Sequence, residues 1–359
     1  MWWSSYLLGT SLFVILGLEA LFRIAYADPD YYWHNRFLFV SPNAYRNHSD
    51  SFWTYRPDVT VREVGIYGVA APFSTKLKML VEYDCRMRSN NLGLLQADNI
   101  QRGSRATVVL GDSFAAGQAG CPWFDRLQER RKSDRLINAA LPGTGFGHWV
   151  RLLEYLRGES VTVQRILVIA ISSDFSRGTW VWPEDQLECL AQARCSKEDQ
   201  PGLWLPVEDQ ESHSRLIERS AARFSARFGQ SSWAKPWKEY LRQEFYLAKF
   251  VARAIDNVRK HDASLQNTET SSEADRALER FKSLGIPLHV MLVSQRDEVG
   301  PFGNRQALNA AMAVLNAHGV THSWCRLSKG HFLPFDGHPN SAGYDYLSRC
   351  ADQILDTLN

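Results

Sequence analysis

The sequence has almost no net charge: 41 Lys and Arg stand against 39 Asp and Glu in 359 residues, for a formal +2. It also holds no basic run with interleaved aromatics, so nucleic acid is not an expected partner. No two of the six cysteines are spaced as Cys-x-x-Cys, which leaves no cysteine metal motif, and no internal repeat is visible. Nor does any Lys or Arg precede Arg23, so the apolar start of the chain lacks the basic opening of a secretory signal.

What is present is a globular composition. Hydrophobic residues make up 45%, enough for one large core or two modest ones, and nothing in the composition calls for disorder. Twelve Trp is a high count; indoles fill cores and interfaces, and their faces also pack on sugar rings.

Residues 1–27 read as a membrane anchor or signal segment. From Trp2 to Leu18 there is no charge, and with Glu19 tolerated the apolar stretch reaches Phe22, long enough to span a bilayer. Ala25-Tyr26-Ala27 fits a small-x-small cleavage site, so retained anchor and cleaved signal both stand; the length of the stretch favours the anchor. Either way the remainder leaves the cytosol: an inner-membrane anchor with a periplasmic domain and membrane contact through residues 2–22, or secretion after cleavage near Ala27. The cysteines at 85, 121, 189, 195, 325 and 350 are even in number, as disulfides in an oxidising compartment require. Cys189 and Cys195 are close in sequence, and Cys325 and Cys350 would join the last strand to the C-terminal helix.

Residues 28–105 read as an irregular extension packed on the core, rich in Tyr, Trp and Pro, with short strand-like pieces such as "VTVREVGIY". From residue 106 to 359 the rhythm becomes that of an α/β domain. Short β-branched runs, "ATVVLG", "RLINAA", "RILVIAIS", "IPLHVMLVS" and "VTHSWCRL", alternate with amphipathic segments. The expected architecture has three layers, α/β/α, around a parallel, flavodoxin-like sheet of five strands. The last two helices should begin near Asn304 and Ser341, and the first of them should stop at Gly319. Between about 175 and 284 no convincing strand is visible, and the interval reads as a helical insertion.

In such a sheet ligands bind outside the carboxyl ends of the strands. Four motifs occupy those ends: Gly111-Asp112-Ser113, Asn138 with Gly143 in "NAALPG", Ser173-Asp174, and Asp336-Gly337-His338-Pro339-Asn340. Each has a plain structural reading as well, since Ser113 can cap the following helix and Asp-Gly-His-Pro-Asn is a natural turn.

Taken together and in this order, the four motifs resemble the blocks of the SGNH or GDSL hydrolase family, from about Thr107 to the C-terminus without the insertion. The resemblance implies Ser113 as nucleophile, His338 as its base and Asp336 as the group orienting the base. It implies an oxyanion hole from the amides of Ser113 and Gly143, with Ser173 standing where the family has Asn. Asn138 and Arg177 are candidate substitutes for that missing donor, and Asn138, Asp174, Arg177, Trp180 and Trp182 are candidates to line the substrate cleft. A wider spacing between the acid and the base is commoner in the family than the single Gly337 found here. His331 with Asp336 and His338 suggests a metal site, but nothing in that loop fixes a ligand geometry, and no metal or other cofactor is expected; His148, His289 and His322 are read as structural.

The function expected is an envelope ester hydrolase or O-acyltransferase acting on an acylated glycan, acetyl first, with a membrane acyl donor as a further possible partner. A lipid or thioester hydrolase with an apolar lid is the alternative within enzymes. A binding or assembly module that has kept the cleft and lost the chemistry is the alternative outside them.

Overall fold

The structure, a computed structural model, describes residues 2–25, 36–48, 52–69, 77–120, 123–177, 188, 204–228, 240–241, 244–251, 272–300 and 303–358. Helix α1 (Trp2–Ala25) contains no proline and is rich in Leu, and most of its apolar side chains are exposed, Leu8 at 75% and Phe13 at 79%. Its stretch Ser5–Ile24 is long and apolar enough to cross a membrane.

The chain then builds strands β1 (Arg36–Val40), β2 (Tyr45–His48), β3 (Phe52–Tyr55), β4 (Thr60–Val69) and β5 (Lys78–Arg88). Strands β2 and β3 form a separate hairpin, while β5, β4 and β1 make an antiparallel sheet. This region is more regular than its composition suggests. Alternation along β1 sends Leu38 and Val40 into the main core, whereas Phe39 joins Val64, Ile66 and Leu216 in a smaller cluster on the other side of the sheet.

The main sheet follows the expected pattern. Strands β6 (Arg105–Gly111), β7 (Leu136–Asn138), β8 (Thr162–Ala170), β10 (Leu288–Val293) and β11 (Thr321–Cys325) are parallel and lie in the order β11-β10-β8-β6-β7. Val108, Val109 and Leu110 are all fully buried, as a strand covered on both faces requires. The helices are α2 (Ser113–Ala116), α3 (Trp123–Arg130), α4 (Phe146–Gly158), α5 (His213–Phe228), α6 (Ser272–Ser283), α7 (Gln306–Ala317) and α8 (Ser341–Thr357). Of these, α3 packs on α8 and α4 on α6, covering the sheet. The strand order reverses between β6 and β8, the point in such a sheet where ligands bind outside the carboxyl ends of the strands.

The last two helices begin close to the expected positions: α7 at Gln306, whose N–H is accepted by the Asn304 side chain at 3.2 Å, and α8 at Ser341, with Asn340 as its cap. The interval read as wholly helical contains β9 (Trp204–Pro206), which extends the N-terminal sheet parallel to β1. Helix α5 follows it and covers that sheet through Leu216. A disulfide joins Cys325 on β11 to Cys350 on α8, with Cα atoms 5.9 Å apart, and Cys85 is disulfide-bonded as well. Cys121, Cys189 and Cys195 lie outside the described residues.

Candidate active site

At the carboxyl end of β6 the backbone must turn sharply into α2, and Gly111 permits it. A side chain there would collide with the Ile169 carbonyl and with Ala115, so β6 and β8 approach closely only because residue 111 has no Cβ. Asp112 caps the short helix, its Oδ1 accepting the N–H of Phe114 at 2.9 Å. The capping role therefore falls to Asp112, and the Ser113 hydroxyl is left to lie 2.8 Å from Nε2 of His338.

His338 sits in the loop between β11 and α8. That loop is closed by a bridge between Phe332 and Pro339 and by the Asn340 amide, which donates to the carbonyls of Gly330 and Phe332. Within it, Oδ1 of Asp336 accepts both the backbone N–H of His338, at 3.0 Å, and its ring Nδ1. The single intervening Gly337 is thus no obstacle: a tight Asx-type turn folds the carboxylate back onto the imidazole two residues on. With Asp336 ionised and accepting, Nδ1 carries the proton and Nε2 faces the serine as acceptor.

Asp336 is fully buried, and the N-terminal sheet surrounds it. The Tyr67 hydroxyl on β4 donates to Oδ2, and Arg36 on β1 lies 3.7 Å from the same oxygen. Burial alone would push the carboxyl up, but His338, Arg36 and Tyr67 outweigh it and hold the group well below the usual carboxylate range. From β5, Glu82 accepts the N–H of Phe335 at 2.6 Å and that of Asp336 at 2.9 Å, one on each oxygen. Arg296, after β10, donates to the carbonyls of Leu333 and Pro334 at 3.0 and 2.9 Å. None of Arg36, Tyr67, Glu82 or Arg296 stands out in the sequence. Tyr67 and Glu82 fall in the middle of strands with no motif around them, and only the long-range packing brings them to the loop.

On the other side of Ser113, the loop after β7 is tied to the end of β6. Leu141 N–H and the Thr144 hydroxyl both bond to the Gly111 carbonyl, at 3.0 and 3.3 Å. Gly143 in this loop has φ +76°, a conformation that favours glycine. Neither its N–H nor that of Ser113 has a hydrogen-bond partner among the described residues.

The other predicted cleft residues among those described have protein partners of their own. Asn138 is buried, its amide donating to the Leu95 carbonyl at 2.9 Å and its oxygen accepting from Ala140 N–H at 3.2 Å, so it braces the strand end. Asp174 is likewise fully buried. It accepts the N–H of Ile171 at 2.9 Å and pairs with Arg177 at 3.2 Å. Burial, and then the nearby Asp112 charge, pushes its carboxyl well above the usual range.

Arg177 joins three motifs: its Nη1 lies 3.2 Å from Asp174, 3.4 Å from Asp112 and donates to the Thr144 carbonyl at 3.0 Å. Occupied in this way, that nitrogen is not a free substitute for the missing oxyanion donor. Ser173 is half-buried and its hydroxyl makes one long contact, 3.5 Å, to Gln295. Trp180 and Trp182 lie outside the described residues. His331 accepts from Ser328 N–H at 3.1 Å and stacks on Tyr346, while His289 bonds Ser323 at 2.9 Å and His322 the Val320 carbonyl at 3.0 Å. His148 is buried beside Phe52 and Trp53.

No protein-family model matches this chain, and no curated protein does. Among solved structures it is similar to a carbohydrate esterase whose active site displays divergent catalytic and non-catalytic binding functions, at 9% identity and TM-score 0.33, over 89% of this chain and 97% of that one. A family two carbohydrate esterase from Cellvibrio japonicus is 10% identical with TM-score 0.29, over 90% and 82% of the two chains. An acetyl xylan esterase from the rumen bacterium Butyrivibrio proteoclasticus is 10% identical with TM-score 0.30, over 92% and 85%. Scores this low leave the chemistry to be read from the side chains.

Proposed function

We propose that this chain is a serine-dependent ester hydrolase or O-acyltransferase of SGNH type, acting outside the cytosol on an acylated glycan, with acetyl as the first acyl group to test. The observation that carries the reading is the continuous chain from Ser113 Oγ through His338 to Asp336, at 2.8 Å on its serine side. A serine hydroxyl becomes a competent nucleophile when an imidazole can take its proton and a buried carboxylate holds that imidazole in the right tautomer.

In the reaction proposed, Ser113 Oγ attacks the acyl carbonyl and its proton passes to Nε2 of His338. The imidazolium so formed is stabilised by Asp336 through Nδ1–H. The N–H groups of Ser113 and Gly143 stabilise the negative oxygen of the tetrahedral intermediate. Collapse releases the sugar alkoxide, which takes the proton from Nε2. Water or a second sugar hydroxyl then gives its proton to Nε2 and attacks the acyl-serine carbonyl; the bond to Ser113 Oγ breaks, and Nε2 returns the proton to that oxygen, regenerating the serine.

The location proposed is an extracytoplasmic face of a membrane, with α1 as the anchor. Its exposed apolar surface and the disulfides support this, because such bonds persist in oxidising compartments. Acetate release from acetylated polysaccharides, set beside acyl-chain esters, tests the substrate class. Glycan turnover that vanishes in Ser113→Ala is expected; turnover of long-chain esters alone would point to a lipase-like enzyme.

A further inference from the structure

Outside α1, just two large apolar side chains among the described residues are exposed, Leu241 (44%) and Val251 (52%). Both belong to the segment docked on the foot of α1. The Glu19 carboxylate accepts the N–H groups of Tyr246 and Leu247, each at 3.0 Å, Arg23 donates to the Glu244 carbonyl, and the rings of Phe22 and Phe250 lie 4.8 Å apart. Around Tyr246 the cationic groups of Arg23, Lys249 and Lys329 lie 5.1 to 5.3 Å from the ring centroid.

We propose that Leu241 and residues 244–251 are a second membrane contact, lying at the headgroup–acyl boundary of an anionic bilayer. The proposal rests on the reading of α1 as a membrane span. Glu19 lies five residues before Ile24, the end of the apolar stretch, which at a rise of ~1.5 Å per residue places it within about 8 Å of the exit plane. Residues bonded to Glu19 and packed on Phe22 must therefore lie at the same height, at the boundary between acyl chains and headgroups. There Leu241 and Val251 meet lipid instead of water. The half-exposed Arg23 and the exposed Lys329 complement anionic headgroups. Lys329 also donates to the Tyr246 hydroxyl at 3.1 Å and belongs to the run of chain that leads to Asp336 and His338. The surface contact thus holds the serine site close to the bilayer, suited to a substrate that is itself at the membrane.

The test uses the full chain in vesicles of phosphatidylcholine, with and without phosphatidylglycerol. Leu241→Cys and Val251→Cys each carry an environment-sensitive fluorophore, and the wild-type chain taken through the same labelling gives the background. Arg102→Cys, at the amino end of the main sheet away from Lys329, is the reference. Quenching by a lipid-borne quencher should be about threefold or more stronger at 241 and 251 than at 102, and stronger still with phosphatidylglycerol; iodide in the water should show the reverse order. Equal quenching at all three positions in a chain that resists carbonate extraction overturns the proposal while leaving the anchor intact. Insertion that ignores phosphatidylglycerol overturns its anionic part. Extraction by carbonate overturns the anchor reading, and this proposal with it.

Discussion

The hydroxyl of Tyr67 donates to Oδ2 of Asp336, so a strand of the N-terminal sheet reaches the acid that orients His338. Ser113, His338 and Asp336 come from the α/β part of the chain, and the N-terminal strands add Arg36 and Tyr67 to His338 in keeping Asp336 ionised.

Replacing Tyr67 by Phe removes that donor and leaves the ring in place. A hydrogen bond to a buried charge contributes about 1.5–3 kcal/mol, and with His338 and Arg36 still present a fall in kcat of about tenfold, with KM nearly unchanged, is expected. The Asp336 carboxyl should also rise from its depressed value. Its contribution to stability is present above the unfolded carboxylate range and is lost as pH falls through the folded value, so acid unfolding of Tyr67→Phe should begin at higher pH. Steady-state kinetics and acid titration by circular dichroism check both parts.

Glu82 holds the acid loop by a device that only a carboxylate provides, since each of its oxygens accepts a different N–H. Glu82→Gln keeps the shape but turns an amide NH2 toward one of these donors. Loss of one such buried partner costs about 1–3 kcal/mol, and kcat should fall about tenfold, more than KM changes. An unchanged kcat would make the contact structural and no more.

Glu63 is fully buried, bonded to the Tyr55 hydroxyl at 3.0 Å, and burial pushes its carboxyl up to about 7. The folded state therefore binds its proton more tightly than the unfolded state does. Stability from this group is complete below its unfolded value, near pH 4.5, and declines as pH rises to about 7, by roughly 3 kcal/mol in all. Glu63→Gln retains an acceptor for Tyr55, so melting temperatures measured from pH 5 to 8 should flatten relative to wild type. A variant that keeps the full decline would place its origin elsewhere.

Ser173 stands where a third oxyanion donor is expected, yet its hydroxyl makes a 3.5 Å contact to Gln295. Ser173→Ala should change kcat less than about threefold, whereas loss of a principal donor costs about a hundredfold or more. Ser173→Asn, with its longer reach, should raise the rate.

The five core strands and the strand-end motifs are legible because their signals are local: runs such as "TVVLG" are mostly β-branched or apolar, and the first three motifs lie at or just beyond the ends of their strands, while the fourth precedes the last helix. The N-terminal sheet is less so. Its strands bury residues on both faces, so alternation is weak, and β9 is three residues that become a strand by pairing with β1 far back in the chain. The bracing contacts of Asn138 and Asp174 are hidden in the sequence for a related reason. A polar residue at a strand end reads alike whether it faces a ligand or satisfies a neighbouring backbone, and only the partners Leu95, Ile171 and Arg177 distinguish the two.

Labelling by a fluorophosphonate probe, followed by peptide mapping, tests the activation of Ser113 by His338 most directly. The account predicts a single adduct on Ser113 in the wild type, and a rate of labelling reduced by about a thousandfold or more in His338→Ala. Absence of any adduct on Ser113, or equal labelling in His338→Ala, would contradict it.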